Sequence, residues 1–232
     1  NNVRKEAGIL KIKVIKESNR NFTSARIKTQ DKFEFKYGRV EIRAKLPAVQ
    51  GSWPALWMLG KNFSDVSWPK SGEIDIMEMG QRQSFRDLHD EHNGGNGLNN
   101  STVNQVVGSN AIFYADEALV PENPTGAASI SWDPNDDYCR PYYNYNNLTD
   151  RFLKYRVYWN PDSILFSVID NEVEHFLFTD VFNIDSVSDE FHSPFYFVSN
   201  LALGGNFTDA YSLGDPASGS QISLPVSYTH LR

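Results

Sequence analysis

The chain has 232 residues, of which 40% are hydrophobic and 13% aromatic, so it is long enough to bury a sizeable core. A formal net charge of −7 leaves no basic stripe for a nucleic-acid backbone, and no apolar run reaches the ~18 residues that cross a bilayer. We expect one domain over residues 1–232, a monomer without cofactor that has neither a nucleic-acid nor a membrane partner.

Most of the predicted elements are short strands, because apolar and polar residues alternate with a period of two. The turn pair Asp170-Asn171 predicts a hairpin, and the apolar stretch before Gly204-Gly205 predicts a strand that is buried on both faces. The predicted strands are residues 9–16, 38–46, 153–159, 163–169, 172–178 and 195–203.

Two polar segments, residues 81–109 and 115–150, are rich in Asn, Gly or Pro and predict long loops. His89 and His92 in the first segment could bind a metal, but their spacing is not that of a zinc helix, so solvated loop residues are preferred and no metal site is assigned. Short strands without alternating helices favour an all-β sandwich of two antiparallel sheets.

One predicted strand combines three carboxylates within six residues, from Glu73 to Glu78. Side chains two positions apart share a face, so Glu73 and Asp75 point the same way, whereas Glu78 would face the apolar side of a regular strand. A β-bulge, most simply at Met77, would reset the alternation and bring Glu78 to the same face. Bulges are common beside active sites.

Three carboxylates on one face repel one another, so at least one pKa should rise and one group can stay protonated near neutral pH. A protonated and an ionised carboxyl group together are what a glycosidase needs. The alternative is that Glu73, Asp75 and Glu78 are only a solvated strand face. Trp53, Trp57 and Trp68 lie just upstream; they can stack on sugar rings or pack in the core.

The sequence resembles the family 16 glycoside hydrolases, specifically their laminarinase-like members, whose catalytic strand carries the extra methionine. The similarity covers most of the chain. The segments that carry it are residues 22–27, 36–47, 51–60, 72–78, 155–159 and 200–206.

The resemblance implies a β-jelly-roll with an open concave cleft that hydrolyses polysaccharide β-glucans with retention. By position, Glu73 would be the nucleophile, Asp75 would orient it and tune its pKa, and Glu78 would be the acid/base. Trp68 would form the floor next to the cleavage point. The other residues that it implies for substrate binding are Trp53, Trp57, Arg39 and Asn200.

The sequence departs from the family at three places. Phe113 in Asn110-Ala111-Ile112-Phe113-Tyr114 aligns with a histidine that reaches the acid/base in laminarinases, which puts strict laminarin specificity in doubt. The terminal strands are incomplete, which predicts a fragment, and Pro225 does not suit the centre of a closing strand. Of the structural calcium site found in many relatives only Gly38 is evident, so no calcium is assigned.

The resulting hypothesis is a secreted, extracellular, retaining endo-glucanase that cuts β-1,3 or mixed β-1,3/1,4 linkages, although the chain carries no signal peptide. The alternatives within the fold are an agarase- or carrageenase-type galactan hydrolase and a transglycosylase. A non-catalytic β-glucan-binding protein is a different class, and such proteins typically lose the glutamates that this chain keeps.

Overall fold

The computed structural model describes residues 1–17, 22–47, 49–92, 95, 97–115, 126–130, 141–178, 181–209 and 228–231. Strands dominate these residues, which confirms the predicted all-β class. In chain order they are β1 (Val3–Glu6), β2 (Ile9–Lys13), β3 (Ile15–Lys16), β4 (Phe22–Thr23), β5 (Arg26–Lys28), β6 (Glu34–Phe35), β7 (Gly38–Lys45), β8 (Ser52–Gly60), β9 (Glu73–Glu78), β10 (Val106–Tyr114), β11 (Ala127–Ser129), β12 (Tyr142–Tyr143), β13 (Leu153–Trp159), β14 (Ser163–Asp170), β15 (Val173–Phe176), β16 (Phe182–Asn183), β17 (Phe195–Leu203) and β18 (Tyr228–Leu231).

The helical elements are few and short. They are α1 (Phe63–Val66), α2 (Gln83–His92) and two single 3-10 segments, Leu98–Asn100 and Asp189–His192. Among the described residues, no helix is long and apolar enough to cross a membrane.

The strands form two large antiparallel sheets. The outer sheet has the order β1-β2-β18-β7-β13-β14-β15, with β16 beside β14. The inner sheet has the order β11-β10-β9-β8-β17-β5, with β12 beside β10 and β6 beside β17. Since β8, β9 and β10 are central strands of the inner sheet, their side chains are held in register on both sides.

The main core lies between the two sheets because strands of both contribute alternate apolar side chains to it. Tyr155 and Val157 of β13 are fully buried there, together with Met58 of β8 and Ile74 of β9. Burying one such side chain fully stabilises the fold by about 1.5–3 kcal/mol. The other side of the inner sheet faces away from this core, and we call it the open face.

The predicted hairpin is present, but its turn lies one residue further along. Asp170 pairs with Val173, so the loop consists of Asn171 and Glu172. Both have positive φ angles, of 51° and 61°, as a type I′ hairpin turn requires. Asp170 therefore belongs to the strand, where its side chain turns inward.

The predicted loop at residues 81–109 is wrong in part, because α2 lies within it. The buried residues of α2 include Arg86, His89 and Asp90, which are spaced like one face of a helix. Since these side chains are polar, a search for apolar periodicity could not find the helix. His89 is 1% exposed rather than solvated; the side chain of His92 lies outside the described residues.

The described parts of the polar segment 115–150 contain two short strands, β11 and β12, and both extend the inner sheet beside β10. At the end of the chain, β18 pairs with β2 and β7 within the outer sheet. Tyr228–Leu231 therefore add a strand to the outer sheet. Pro225 lies outside the described residues.

A buried ion pair joins β14 to the segment before β13. Arg151 donates to Asp170 from Nε at 2.9 Å and from Nη2 at 2.6 Å, and Tyr142 and Asn144 donate to the same carboxylate at 3.0 and 3.1 Å. The Asp170 side chain is 3% exposed. The hydrogen bonds from Arg151 lower the pKa of Asp170, so this carboxylate stays ionised in the fold.

Replacing Arg151 with Met should lower the free energy of unfolding by about 2–4 kcal/mol at neutral pH, because the buried Asp170 carboxylate would lose its cation. The pKa of Asp170 is lowered by folding, so the ion pair stabilises above the ordinary pKa and the effect disappears as the pH falls through the lowered value. Urea unfolding measures the loss. Arg4→Met, which breaks a solvent-exposed pair with Glu6, should change stability little; equal losses in both variants would contradict the prediction.

Candidate active site

A β-bulge in β9 interrupts the alternation of its side chains. Against β8, Met77 pairs with Leu56 and Asp75 pairs with Trp57, which leaves Ile76 without a partner. The register against β10 shifts at the same point. One extra residue on β9 therefore resets the faces of the strand.

The bulge was predicted at Met77, and the structure places the unpaired residue one position earlier. Ile76 and Met77 are both buried in the core between the sheets, with 1% and 0% exposed. The Ser109 hydroxyl donates to the Ile76 carbonyl at 2.9 Å and satisfies a group that the bulge removes from the regular ladder. The two apolar side chains thus stabilise the irregular strand from the core side.

As a result, Glu73, Asp75 and Glu78 share the open face of the inner sheet. Asp75 lies opposite Trp57 on β8, and Glu78 lies opposite Ala55, two residues away on the same face. Asp75 is buried, with 3% exposed, whereas Glu73 and Glu78 are partly exposed. The structure therefore brings together the three predicted catalytic carboxylates.

The environment of these groups places a proton on Asp75. Burial, followed by the charges of Glu73 and Glu78, raises the pKa of Asp75 well above its ordinary value. Burial also raises the pKa of Glu73 to about 7, but hydrogen bonds from Asp75 and Trp68 and the charge of Arg26 oppose the rise. The protonated form of Asp75 is therefore favoured, and this form donates a hydrogen bond to the Glu73 carboxylate.

Glu78 is held in a different environment. Burial raises its pKa to about 7; the hydrogen bond from the Trp53 indole, 2.8 Å from Nε1 to Oε1, lowers it, and the charge of Glu73 raises it. The Trp53 ring stacks on Phe207 with centroids 4.7 Å apart. A Cβ at Gly205, whose φ is +102°, would come within 3.3 Å of the indole, so glycine leaves room for the ring.

Trp57 and Asn200 are joined on the open face. The indole Nε1 of Trp57 donates to Oδ1 of Asn200 at 2.8 Å, which fixes both side chains. The Arg26 guanidinium lies 5.2 Å from the centroid of the Trp57 ring, within the range of a cation–π contact. Arg26 pairs with Asn200 across β5 and β17.

Arg26 was not predicted as a site residue. Its positive charge acts on Glu73, so it belongs to the electrostatic environment of the carboxylates. β5 has only three residues, with Ile27 packed towards the core and its neighbours facing the other way. That inward–outward pattern was the available signal, but the strand is too short for it to stand out.

Trp68 stands before β9 and keeps 38% of its surface exposed. Its side chain also hydrogen-bonds to Glu73, which lowers the pKa of that carboxyl group. A partly exposed aromatic ring that contacts Glu73 is available to a ligand at the carboxylates. Of the predicted aromatic residues, Trp53, Trp57 and Trp68 all contribute to this site.

The prediction that Arg39 faces the site is wrong. Arg39 lies on β7 of the outer sheet, opposite Tyr158 on β13, and is exposed. Its neighbours Val40 and Ile42 pack against the core, so Arg39 points away from it. Residues 38–46 were correctly predicted as a strand, but the alternation of side chains alone does not tell which sheet that strand joins.

The expected role of Phe113 is also wrong. Phe113 packs against the core between the sheets, with its ring centroid 5.7 Å from that of Phe182. The residue of β10 that lies opposite Glu73, and therefore on the open face, is Ile112. Its side chain offers no hydrogen bond, so the position beside Glu73 is apolar. Asn110, opposite Asp75, is the neighbouring polar group on β10.

Among the described residues, no group of three or more His, Cys, Asp or Glu side chains is placed to hold a metal ion. The chemistry that this site offers is that of carboxyl groups which exchange protons in a partly buried, aromatic environment. Such a set of groups suits the transfer of a sugar between oxygen nucleophiles.

A two-sheet sandwich with paired carboxylates and aromatic rings on its open face has the architecture of a polysaccharide-cleaving domain. The sequence profile of the XgeA-like catalytic domain of glycoside hydrolase family 16 matches residues 1–130. The chain therefore belongs to glycoside hydrolase family 16.

Relatives of known activity support this assignment. The chain is 33% identical over 215 residues to glucan endo-1,3-beta-glucosidase A1 of Niallia circulans, which covers 89% of this chain and 27% of that protein. It is 30% identical over 212 residues to the beta-glucanase of Rhodothermus marinus, which covers 88% and 61%, respectively. The chain thus spans less than two thirds of either relative.

The fold is also shared with solved structures. A family 16 protein of Bacteroides ovatus, from a mixed-linkage glucan locus and solved with a G4G4G3G product, superposes with a TM-score of 0.70 at 27% identity. The match covers 99% of this chain and 81% of that one. It confirms the predicted jelly-roll sandwich.

Proposed function

We propose that the protein is a retaining, endo-acting hydrolase of β-glucans with β-1,3 or mixed β-1,3/1,4 linkages. The observation that carries the proposal is the bulged strand β9, which turns Glu73, Asp75 and Glu78 to one face and gives them different surroundings. The named activities of the relatives support the same substrate class.

In the first chemical step, the ionised Glu73 attacks the anomeric carbon while the bond from that carbon to the leaving oxygen breaks. Arg26, Trp68 and the proton on Asp75 all favour the ionised form of Glu73, which supports the nucleophile role. Asp75 also holds the carboxylate in place through their hydrogen bond. We assign Asp75 the positioning of the nucleophile.

Glu78 gives its proton to the leaving oxygen in the same step, and its raised pKa keeps that proton available near neutral pH. In the second step, the Glu78 carboxylate takes a proton from water, and the resulting hydroxyl displaces Glu73 from the sugar. The Trp53 indole orients Glu78 through its hydrogen bond to Oε1. Glu78 thus donates a proton in the first step and accepts one in the second.

For substrate binding we propose the residues that share the open face with the carboxylates. Trp68 offers a partly exposed ring beside Glu73, and Trp57 with Asn200 forms a fixed pair that combines an apolar surface with an amide. Sugar rings present both apolar faces and hydroxyl groups, and such mixed surfaces suit them. Trp53 acts mainly through Glu78.

The protein is proposed to act outside the cell, because a polysaccharide is too large to enter a cell intact, and residues 1–232 are proposed to form one monomeric domain. A galactan hydrolase and a transglycosylase would use the same carboxylates. A purely binding protein would not need the three carboxylates or the proton arrangement that they have. Hydrolysis of β-glucan therefore remains the leading function.

The experiment is incubation of the protein with laminarin, lichenan, agarose and carrageenan, with measurement of reducing ends and of product size. We expect oligosaccharides from laminarin, lichenan or both, and a rapid fall in polymer length, as endo cleavage requires. Glu73→Ser is the inactive control. Release from agarose or carrageenan alone would overturn the substrate assignment, and release from none would overturn the hydrolase assignment.

The state of Asp75 gives a separate prediction. If Asp75 donates a proton to Glu73, Asp75→Asn keeps a donor and should retain activity within about tenfold, whereas Asp75→Ala should lose about 100-fold. Loss of the hydrogen bond raises the pKa of Glu73, so the acid limb of the pH–rate profile should move to higher pH in Asp75→Ala. Equal losses and unchanged limbs in both variants would show that Asp75 does not act through this hydrogen bond.

A further inference from the structure

A pair of tyrosines stands at the margin of the open face, separated from the catalytic strand β9 by β10. Tyr143 of β12 pairs with Val106 of β10. Its neighbour Tyr142 packs against the core and donates to Asp170 of the outer sheet. Because successive side chains of a strand point to opposite faces, Tyr143 faces the same side of the inner sheet as Glu78.

The register gives the position of this pair relative to the carboxylates. Gly108 of β10 lies opposite Glu78, and Val106, which pairs with Tyr143, lies two residues before Gly108 on β10. With strands about 4.8 Å apart and a rise of about 3.4 Å per residue, the Cα atoms of Tyr143 and Glu78 are on the order of 12 Å apart. A short stretch of a polysaccharide chain spans this distance.

Tyr145 is presented to solvent, and Tyr143 is partly exposed. Tyr145 is 76% exposed, the highest value among the large hydrophobic side chains of the described residues. Its ring centroid lies 5.2 Å from that of Tyr143, with the planes tilted by 59°. Two aromatic rings at this spacing form a continuous apolar surface with hydroxyl groups along its edge.

The backbone around the pair is held in place. Gly97, with φ +90°, approaches so closely that a Cβ there would lie 3.1 Å from the Tyr145 hydroxyl oxygen. Gln105 Nε2 donates to the Tyr145 carbonyl at 2.5 Å. The carboxylate of Asp90 is buried and accepts the Leu98 N–H at 2.6 Å. The position of the tyrosines is therefore set by α2 and the segment that follows it.

The groups around the tyrosines are mostly uncharged amides. Asn104 donates to Asn147 at 2.7 Å, and the Asn144 side chain accepts the N–H of Asn146 at 2.9 Å. Exposed aromatic rings surrounded by amides match the apolar faces and hydroxyl groups of a neutral pyranose. They do not offer an extended apolar surface for a protein partner.

We propose that Tyr143 and Tyr145 form a second sugar-binding surface that takes neutral pyranose rings of a β-glucan chain beside the catalytic strand. This inference rests on the proposed function for the identity of the polymer. It adds a contact outside the carboxylate site, which would hold the polysaccharide while the catalytic strand cleaves it. Short substrates, which do not reach the tyrosines, gain nothing from it.

Binding is tested in the inactive Glu73→Ser background, by depletion onto an insoluble β-1,3-glucan. Tyr145→Ala should weaken retention by about fivefold, the order expected from one aromatic contact, and Tyr143→Ala together with it should weaken retention further. Tyr145→Phe keeps the ring and should keep retention. Phe176→Ala is the matched control, because Phe176 is 54% exposed on β15 of the outer sheet.

Turnover separates this proposal from the proposed function. In the chain with Glu73 intact, Tyr145→Ala should raise KM for polymeric glucan by a similar factor. It should leave kcat/KM unchanged for a laminari-oligosaccharide that is too short to reach the tyrosines. Unchanged retention in Tyr145→Ala, equal loss in Phe176→Ala, or no retention of the parent would each overturn the second surface. Absence of turnover on both polymer and oligosaccharide would instead refute the proposed function.

Discussion

Glu73→Ala is expected to lower kcat/KM for β-glucan hydrolysis by about 10⁴-fold or more, because no other group can attack the anomeric carbon from its position. Asp75 cannot take over this role, because it is buried and its raised pKa favours the protonated form. Reducing-end release from laminarin and lichenan measures the loss. The protein should still bind the polymer, since the aromatic residues are unchanged.

The loss in Glu73→Ala should be partly reversed by formate, because this small carboxylate can occupy the space of the missing group and attack the sugar in its place. Water then hydrolyses the resulting glycosyl formate to a reducing end and free formate. Glu172→Ala is the matched control: Glu172 lies in the β14–β15 turn, and its side chain is 85% exposed. It should retain full activity. An active Glu73→Ala protein would refute the nucleophile assignment.

Glu78→Gln is expected to slow hydrolysis of natural β-glucan by about 10²–10⁴-fold, the usual contribution of a general acid. An aryl β-glycoside whose phenol leaves easily needs less proton donation, so its first step should slow much less. Comparison of the two substrates measures the acid role directly. Equal losses on both would contradict it.

The same substitution should stabilise the protein at neutral pH. Folding raises the pKa of Glu78 to about 7, so its contribution to stability is fully present below the ordinary pKa of 4.5 and is lost as the pH rises through about 7. Glu78→Gln removes this loss and should raise the free energy of unfolding at pH 8 by about 2 kcal/mol relative to the parent. Urea unfolding at pH 4.5 and pH 8 tests this; a benefit at the lower pH alone would contradict the sign.

The regular part of the fold could be predicted from alternation. β13 and β17 have the predicted bounds, because inward and outward positions differ clearly in β13 and because β17 is apolar along most of its length. The bulge in β9 could also be predicted, since a buried and unpartnered Glu78 would be costly in a regular strand. The cost of burying Glu78 in a regular strand thus indicated the bulge and, with it, the group of three carboxylates.

Other features depend on contacts that a single sequence does not display. Arg39 alternates correctly on β7, but only the pairing of strands shows that β7 belongs to the outer sheet. Phe113 and Ile112 differ by one position, and one position decides which face of β10 a side chain occupies. The helix α2 escaped prediction because polar residues such as Arg86 cover its buried side.

The most direct test of the central claim is proton NMR of the sugar formed during the first minutes of laminarin or lichenan cleavage. A double displacement through Glu73 releases the new reducing end as the β-anomer, which then equilibrates with the α-anomer. Initial appearance of the β-anomer is the predicted result. Initial appearance of the α-anomer would show direct attack by water and would contradict the roles proposed for Glu73 and Glu78.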